Sequence, residues 1–157
     1  MAVSAIPKGY HSLTPYLIID GAQRAIEYYC AAFNAQQVMQ MPLPEGGIAH
    51  AELKIGDSHI MLSDMCPDTH FNSPEQLGGT PVSLVLYVED VDSVFANALA
   101  LGGTELRPLH DQFYGDRSGT LKDPFGHIWT VSTHKEEVSE QELLQRMADL
   151  MSKDQDA

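Results

Sequence analysis

The sequence predicts an α+β fold built from two tandem βαβββ modules followed by a C-terminal helix. Three observations carry that prediction. A strand, a helix and three further strands occur in that order, and the order then restarts. Thr14 and Ser83, Ile26 and Phe95, and Met61 and Thr130 stand 69 residues apart, so one offset aligns first strand, helix and last strand. The segment Asp123-Pro124-Phe125-Gly126 joins two alternating runs: Pro124 presets the turn, and Gly126 can take the positive φ that closes it.

Thr14 to Asp20 reads as the first strand, ended by Gly21. Ala22, Ala25, Ile26, Tyr29, Cys30 and Phe33 recur at helical spacing, giving a helix over 22–33. Gln37 to Met41 is a strand stopped by Pro42 and Pro44; Ile48 to Ile55 and His59 to Ser63 flank a Gly56-Asp57 hairpin. Cys66 to Gly79 reads as a loop by composition. In the second copy, Val82 to Val88 is a strand, Asp92 the expected N-cap of a helix carrying Val94, Phe95, Ala98 and Leu99, and Gly102-Gly103 its close. Strands over 104–109, 117–122 and 127–133 complete the repeat. The modules occupy about 12–65 and 82–134 of a unit spanning 9–134. Residues 135–157 add an amphipathic helix, started by Ser139 with Glu142 and striped with Leu143, Leu144, Met147, Leu150 and Met151, and an acidic tail that includes Asp154 and Asp156.

The 157 residues suit one compact unit, and 43% hydrophobic with 20% charged residues is an ordinary globular composition. A net charge of −13 opposes sequence-independent binding to nucleic acid or anionic membranes. No run approaches the roughly 20 apolar residues of a membrane span. Met1 to Lys8 shows no secretory pattern, so the expected location is cytoplasmic. Cys30 and Cys66 make neither a disulfide framework nor a metal knuckle and are read as buried spectator thiols.

Alternation sorts the strand residues by face. Leu17, Ile19, Ile60, Leu62, Leu84, Leu86, Val88, Trp129 and Val131 form an apolar face that should lie under the helices. The other face carries Thr14, Tyr16, His59, Met61, Ser83, Tyr87 and Thr130, with His50, Glu52 and Lys54 on the neighbouring strand. A merely solvated face would hold more Lys and Glu. This mixture suits a pocket for a small organic molecule. The same offset places Arg117, Gly119 and Leu121 on that side in the second copy, although glycine-rich strands slip.

These features resemble the vicinal oxygen chelate superfamily, the glyoxalase, bleomycin-resistance and extradiol dioxygenase group. Asp123-Pro124-Phe125-Gly126 is similar to its Asp-Pro-x-Gly hairpin, and Tyr114-Gly115-Asp116-Arg117 resembles the aromatic-Gly-x-Arg stretch of bleomycin-resistance proteins. Thr14 to Leu17, His50 to Glu52, Leu62 to Asp64 and Leu86 to Val91 resemble the PhnB-like branch. The resemblance implies a cupped mixed sheet with the helices on its convex face, and a homodimer. The superfamily's metalloenzymes hold a divalent ion on the first and last strands of each half. The matching positions are Thr14, Met61, Ser83 and Thr130, two of them threonines, one a serine and one a thioether. None suits a divalent ion, so no metal site and no cofactor is expected, with a divalent metal at other residues as the alternative.

His50 and Glu52 lie two apart on one strand face, about 7 Å along it. They are either a proton-transfer pair or a hydrogen-bonded pair on a pocket wall. Arg117 either clamps a ligand carboxylate or phosphate, or pairs with Asp111, Asp116 or Glu52. Tyr16 and Tyr114 offer stacking surfaces, and Thr14, His59, Met61, Ser83 and Thr130 line the face. Three functions compete: a bleomycin-resistance-type protein that binds a small molecule without metal, a metal-dependent lyase, isomerase or dioxygenase using non-standard ligands such as His50, Glu52 and His59, and a non-catalytic interaction module.

Overall fold

The computed structural model describes residues 3–66, 68 and 70–155. Outside them lie the start of the N-terminal stretch, two residues of the predicted 66–79 loop, and Asp156 at the end of the acidic tail. The elements run β1 (Tyr16–Ile19), α1 (Ala22–Phe33), β2 (Gln36–Pro42), β3 (Ile48–Ile55), β4 (Ser58–Asp64), α2 (Pro74–Leu77), β5 (Ser83–Tyr87), α3 (Val91–Ala100), β6 (Thr104–Asp111), β7 (Asp116–Lys122), β8 (Ile128–His134) and α4 (Glu140–Gln155). The doubled βαβββ order is as predicted. It forms two four-stranded mixed sheets, ordered β1-β4-β3-β2 and β5-β8-β7-β6. In each, the first strand pairs in parallel with the last, and the other pairings are antiparallel.

Local chemistry accounts for the joints. Gly21 adopts φ 90°, which a side-chain-bearing residue rarely takes, and so turns β1 into α1. The exposed N–H groups there are met from another strand: Asp64 Oδ1 accepts from Gly21 N and Ala22 N at 2.9 and 2.8 Å, while its Oδ2 accepts from Ile48 N at 2.7 Å. Asp64 thus ties β3, β4 and the start of α1 together. In the second module the cap is Asp90, whose side chain accepts from Ser93 N, rather than Asp92. Asp92 falls in the first turn of α3. Within the stretch read as loop, Ser73 caps the four-residue α2 and Pro74 occupies its first turn.

One core unites the modules. The helix-facing residues Leu17, Ile19, Leu53, Ile60 and Leu62 of the first sheet share a buried cluster with Leu121, Trp129 and Val131 of the second. α1 reaches across: Tyr29 and Phe33 pack on Trp129 with ring centroids 5.3 and 4.7 Å apart, and the Tyr28 hydroxyl donates to Ala98 O of α3. Asp123 in the β7–β8 turn is buried and accepts four hydrogen bonds. They come from the Tyr29 hydroxyl (2.6 Å), Trp129 Nε1 (2.9 Å), Phe125 N and His127 N. The predicted hairpin therefore anchors one module to the other.

Two expectations are corrected. Cys66 is exposed and Cys30 half-buried, so they are not buried spectators. Arg117, Gly119 and Leu121 face the helices: Leu121 is fully buried, and a Cβ on Gly119 would meet the Phe95 ring 2.8 Å away. The offset explains it. Met61 lies beside Glu52, and Thr130 beside Thr120, so the third strands are 68 apart while the last strands are 69 apart. The longer turn before β8 adds one residue, and one residue reverses every side chain on β7.

Candidate functional site

The sheet faces turned away from the helices carry the polar side chains. On the first sheet, Tyr16, Glu52 and Met61 lie in one row across β1, β3 and β4. The Tyr16 hydroxyl lies 2.9 Å from His50 Nδ1, and His50 Nε2 lies 3.3 Å from Glu52 Oε1. A neutral imidazole with its proton on Nε2 satisfies both contacts, accepting from Tyr16 and donating to Glu52. A fourth member, Tyr10, reaches in from the segment before β1 and donates its hydroxyl to Glu52 Oε2. That bond, joined by His50, holds the Glu52 carboxyl below the usual carboxylate range. Partial burial works against them. Desolvation, aided by the same bond, pushes the Tyr10 phenol up to about 12. His59 lies beneath Tyr10, buried, with ring centroids 4.0 Å apart and planes 20° apart. Its Nδ1 has no hydrogen-bond partner.

The second sheet carries a different set. Val85, Thr120 and Thr130 form the equivalent row, and the two threonine hydroxyls lie 2.9 Å apart. Tyr114 hydroxyl lies 3.3 Å from Ser118 Oγ. Buried Asp116 accepts from the Tyr87 hydroxyl at 2.8 Å and from His134 Nδ1 at 2.7 Å, while His134 Nε2 lies 3.3 Å from Glu137. With a carboxylate at each nitrogen the imidazole favours its doubly protonated form, and the His134 pKa is raised, chiefly by Asp116. A groove of about 1070 Å³ separates this face from α4, with Val85, Tyr114, Thr120, Thr130, Arg107 and Arg146 among its walls.

The predicted residues therefore divide. His50, Glu52, Tyr16, His59 and Met61 come together on the first sheet, with Thr14 just ahead of β1. Tyr114 and Thr130 line the groove on the second, and Ser83 opens β5, exposed. Arg117 joins neither group. Its guanidinium forks onto Asp92 of α3 at 2.7 and 2.9 Å and reaches Asp111 at 3.2 Å. Tyr10, Asp116 and His134 were missed by sequence reasoning. The alternation of Tyr114, Asp116 and Ser118 carries the signal for Asp116, and nothing periodic marks Tyr10. Among the described residues no three His, Cys, Asp or Glu side chains converge as a metal site. Thr14, Met61, Ser83 and Thr130 supply hydroxyls and a thioether, with no carboxylate or imidazole.

Residues 11–131 match the family model described as the Glyoxalase/Bleomycin resistance protein/Dioxygenase superfamily. The Mycobacterium bovis protein Mb0911c is 39% identical over 151 residues, covering 94% of this chain and 97% of that protein. Among solved structures, the Pseudomonas aeruginosa protein PA1353 is similar with a TM-score of 0.67 and 26% identity, over 80% of this chain and 99% of its own. The PhnB protein from Bacillus cereus shares the fold at a TM-score of 0.63 and 24% identity, over 78% and 98%.

Proposed function

Since the chain belongs to the glyoxalase/bleomycin resistance protein/dioxygenase superfamily, we propose that it binds a small organic molecule on the strand faces turned from its helices, without a metal ion. The observation that carries this reading is the Tyr16–His50–Glu52–Tyr10 network. It gathers two phenols, an imidazole and a carboxylate on one half-exposed sheet face, where a solvated surface would carry Lys and Glu. Glu52 and His50 are the polar anchors, and Tyr16, Met61 and His59 supply flat and polarisable surface. Thr14 extends this surface just ahead of β1, and Ser83, Tyr114 and Thr130 are its counterpart on the second module. The donors at Thr14, Met61, Ser83 and Thr130 support the metal-free reading, since two kinds of neutral oxygen and sulfur donor hold divalent ions poorly.

The unit of residues 9–134 carries this binding, and the protein acts in the cytoplasm as a homodimer. Support for the dimer comes from the stripe on α4, where Leu144, Met147, Leu150 and Met151 are all exposed. Among the described residues no helix is long and apolar enough to cross a membrane. The test is a thermal-shift screen of small organic compounds on protein purified without an affinity tag, with metal analysis and light scattering of the same sample. The reading expects a stabilising compound whose effect His50→Ala and Glu52→Gln abolish. Stoichiometric Ni, Zn, Fe or Mn would overturn the metal-free part, and a monomer in solution the dimeric part.

A further inference from the structure

The segment ahead of β1 is attached to the first sheet in an unusual way. Val3, Ile6 and Leu13 are exposed, and the backbone bond from Tyr10 N to Pro7 O is local to the segment. Among the described residues, the hydrogen bond from the Tyr10 hydroxyl to Glu52 is the one that joins residues 3–14 to the sheet. The Tyr10 ring lies flat on His59, and the buried Nδ1 of that imidazole has no hydrogen-bond partner. A phenol thus sits on this sheet face, ring stacked and hydroxyl donated, on a segment that makes no other hydrogen bond to the sheet among the described residues.

We propose that this face takes a phenolic ligand, an aromatic ring bearing a hydroxyl, in the place where Tyr10 now lies, and that Tyr10 is the internal stand-in which the ligand displaces. The inference rests on the reading above that this face binds a small molecule, and adds the ligand's chemical class. His59 supplies a stacking platform of fixed orientation. Glu52 is an acceptor only, so it selects a neutral hydroxyl donor and rejects a carboxylate or phosphate, in a chain of net charge −13. Desolvation and the Glu52 carboxylate raise the Tyr10 phenol pKa, which is the direction of a site that favours a neutral hydroxyl. Displacement costs little structure, because among the described residues the segment makes no other hydrogen bond to the sheet.

The test compares p-cresol with toluene, which lacks only the hydroxyl, on the full chain. Binding is followed by calorimetry and by the His59 imidazole signals in NMR. Wild type must first release Tyr10, so Tyr10→Ala should bind p-cresol roughly tenfold more tightly than wild type. Tyr10→Phe, which keeps the ring and its packing, should fall between them and guards against a misfolded alanine variant. In wild type, p-cresol should speed amide exchange in residues 9–13. Adding Glu52→Leu, which removes the acceptor, to Tyr10→Ala should erase the preference for p-cresol over toluene. Equal or weaker binding to both Tyr10 variants, or a preference that survives Glu52→Leu, overturns the proposal. A compound that shifts His50 and Tyr16 signals yet is indifferent to Tyr10→Ala overturns the phenolic class while sustaining the broader reading. If no compound perturbs His50 or Glu52 in any variant, the broader reading itself fails.

Discussion

Replacing Tyr29 by Phe removes a single oxygen atom from the centre of the protein. The ring is fully buried, stacked on Phe33 and tilted against Trp129, and the substitution leaves that packing in place. What is lost is the 2.6 Å hydrogen bond from the hydroxyl to Asp123 Oδ2. That oxygen keeps Trp129 Nε1, and Oδ1 keeps the two backbone N–H groups of the turn, so the carboxylate is weakened in its support but not orphaned. A hydrogen bond to a charged group contributes about 1.5–3 kcal/mol. At roughly 2–4 °C per kcal/mol for a chain of this size, Tm should fall by about 3–12 °C. The assay is thermal and urea unfolding followed by circular dichroism, with an unchanged denaturant slope showing that the folded and unfolded states are otherwise the same. Burial and Asp123 hold the Tyr29 phenol well above the usual range, so the loss should not vary between pH 6 and 9. A change in stability below about 0.5 kcal/mol would refute the claim that this bond clamps the modules together.

Other outcomes follow from the same geometry. Glu52 has a folded pKa below its ordinary value, so its contribution to stability is present above that value and is lost as pH falls through the folded one. Tyr10→Phe should raise the Glu52 pKa measured by carbon NMR and shrink this acid-side loss. His134 runs the other way: its raised pKa gives a contribution that is complete below the ordinary histidine value and is lost as pH rises through the folded one. Asp116→Asn should lower the His134 pKa in a proton NMR titration. Gly115→Ala should destabilise by at least about 1–2 kcal/mol from its left-handed conformation alone. The new Cβ would also stand 2.2 Å from Glu136 O, so the chain between β8 and α4 should exchange its amides faster.

Much of the architecture was legible because it rests on periodicity. The α1 boundaries at Ala22 and Phe33 follow from apolar spacing and the Gly21 stop, and the Trp129 face follows from alternation beside a strong turn. The second half of the site was harder to read, for a reason of counting. A repeat offset holds only where the connecting turns are equally long, and the β7–β8 turn carries one residue more than the offset assumes. The offset therefore puts Arg117 on the wrong face and hides Ser118 and Thr120. Asp92 reads as a cap because it begins the apolar pattern, whereas Asp90 caps and Asp92 binds Arg117. Tyr10 lies in a segment with no period at all, and its partner is 42 residues away. His50 with Glu52 was visible because both sit on one strand, two residues apart.

The packing of α1 on β8 also bears on how the chain is made. Tyr29 and Phe33 emerge during synthesis about 100 residues before Trp129, the ring that covers them. The first module can pair its four strands early, but its helix keeps an aromatic flank uncovered until the last strand of the second module arrives. Contacts of such long sequence separation slow folding and leave apolar surface open to association in the meantime. Translation speed or chaperone supply between residues 64 and 128 should therefore govern soluble yield more than the stability of the finished protein does. The two modules are therefore halves that mature together.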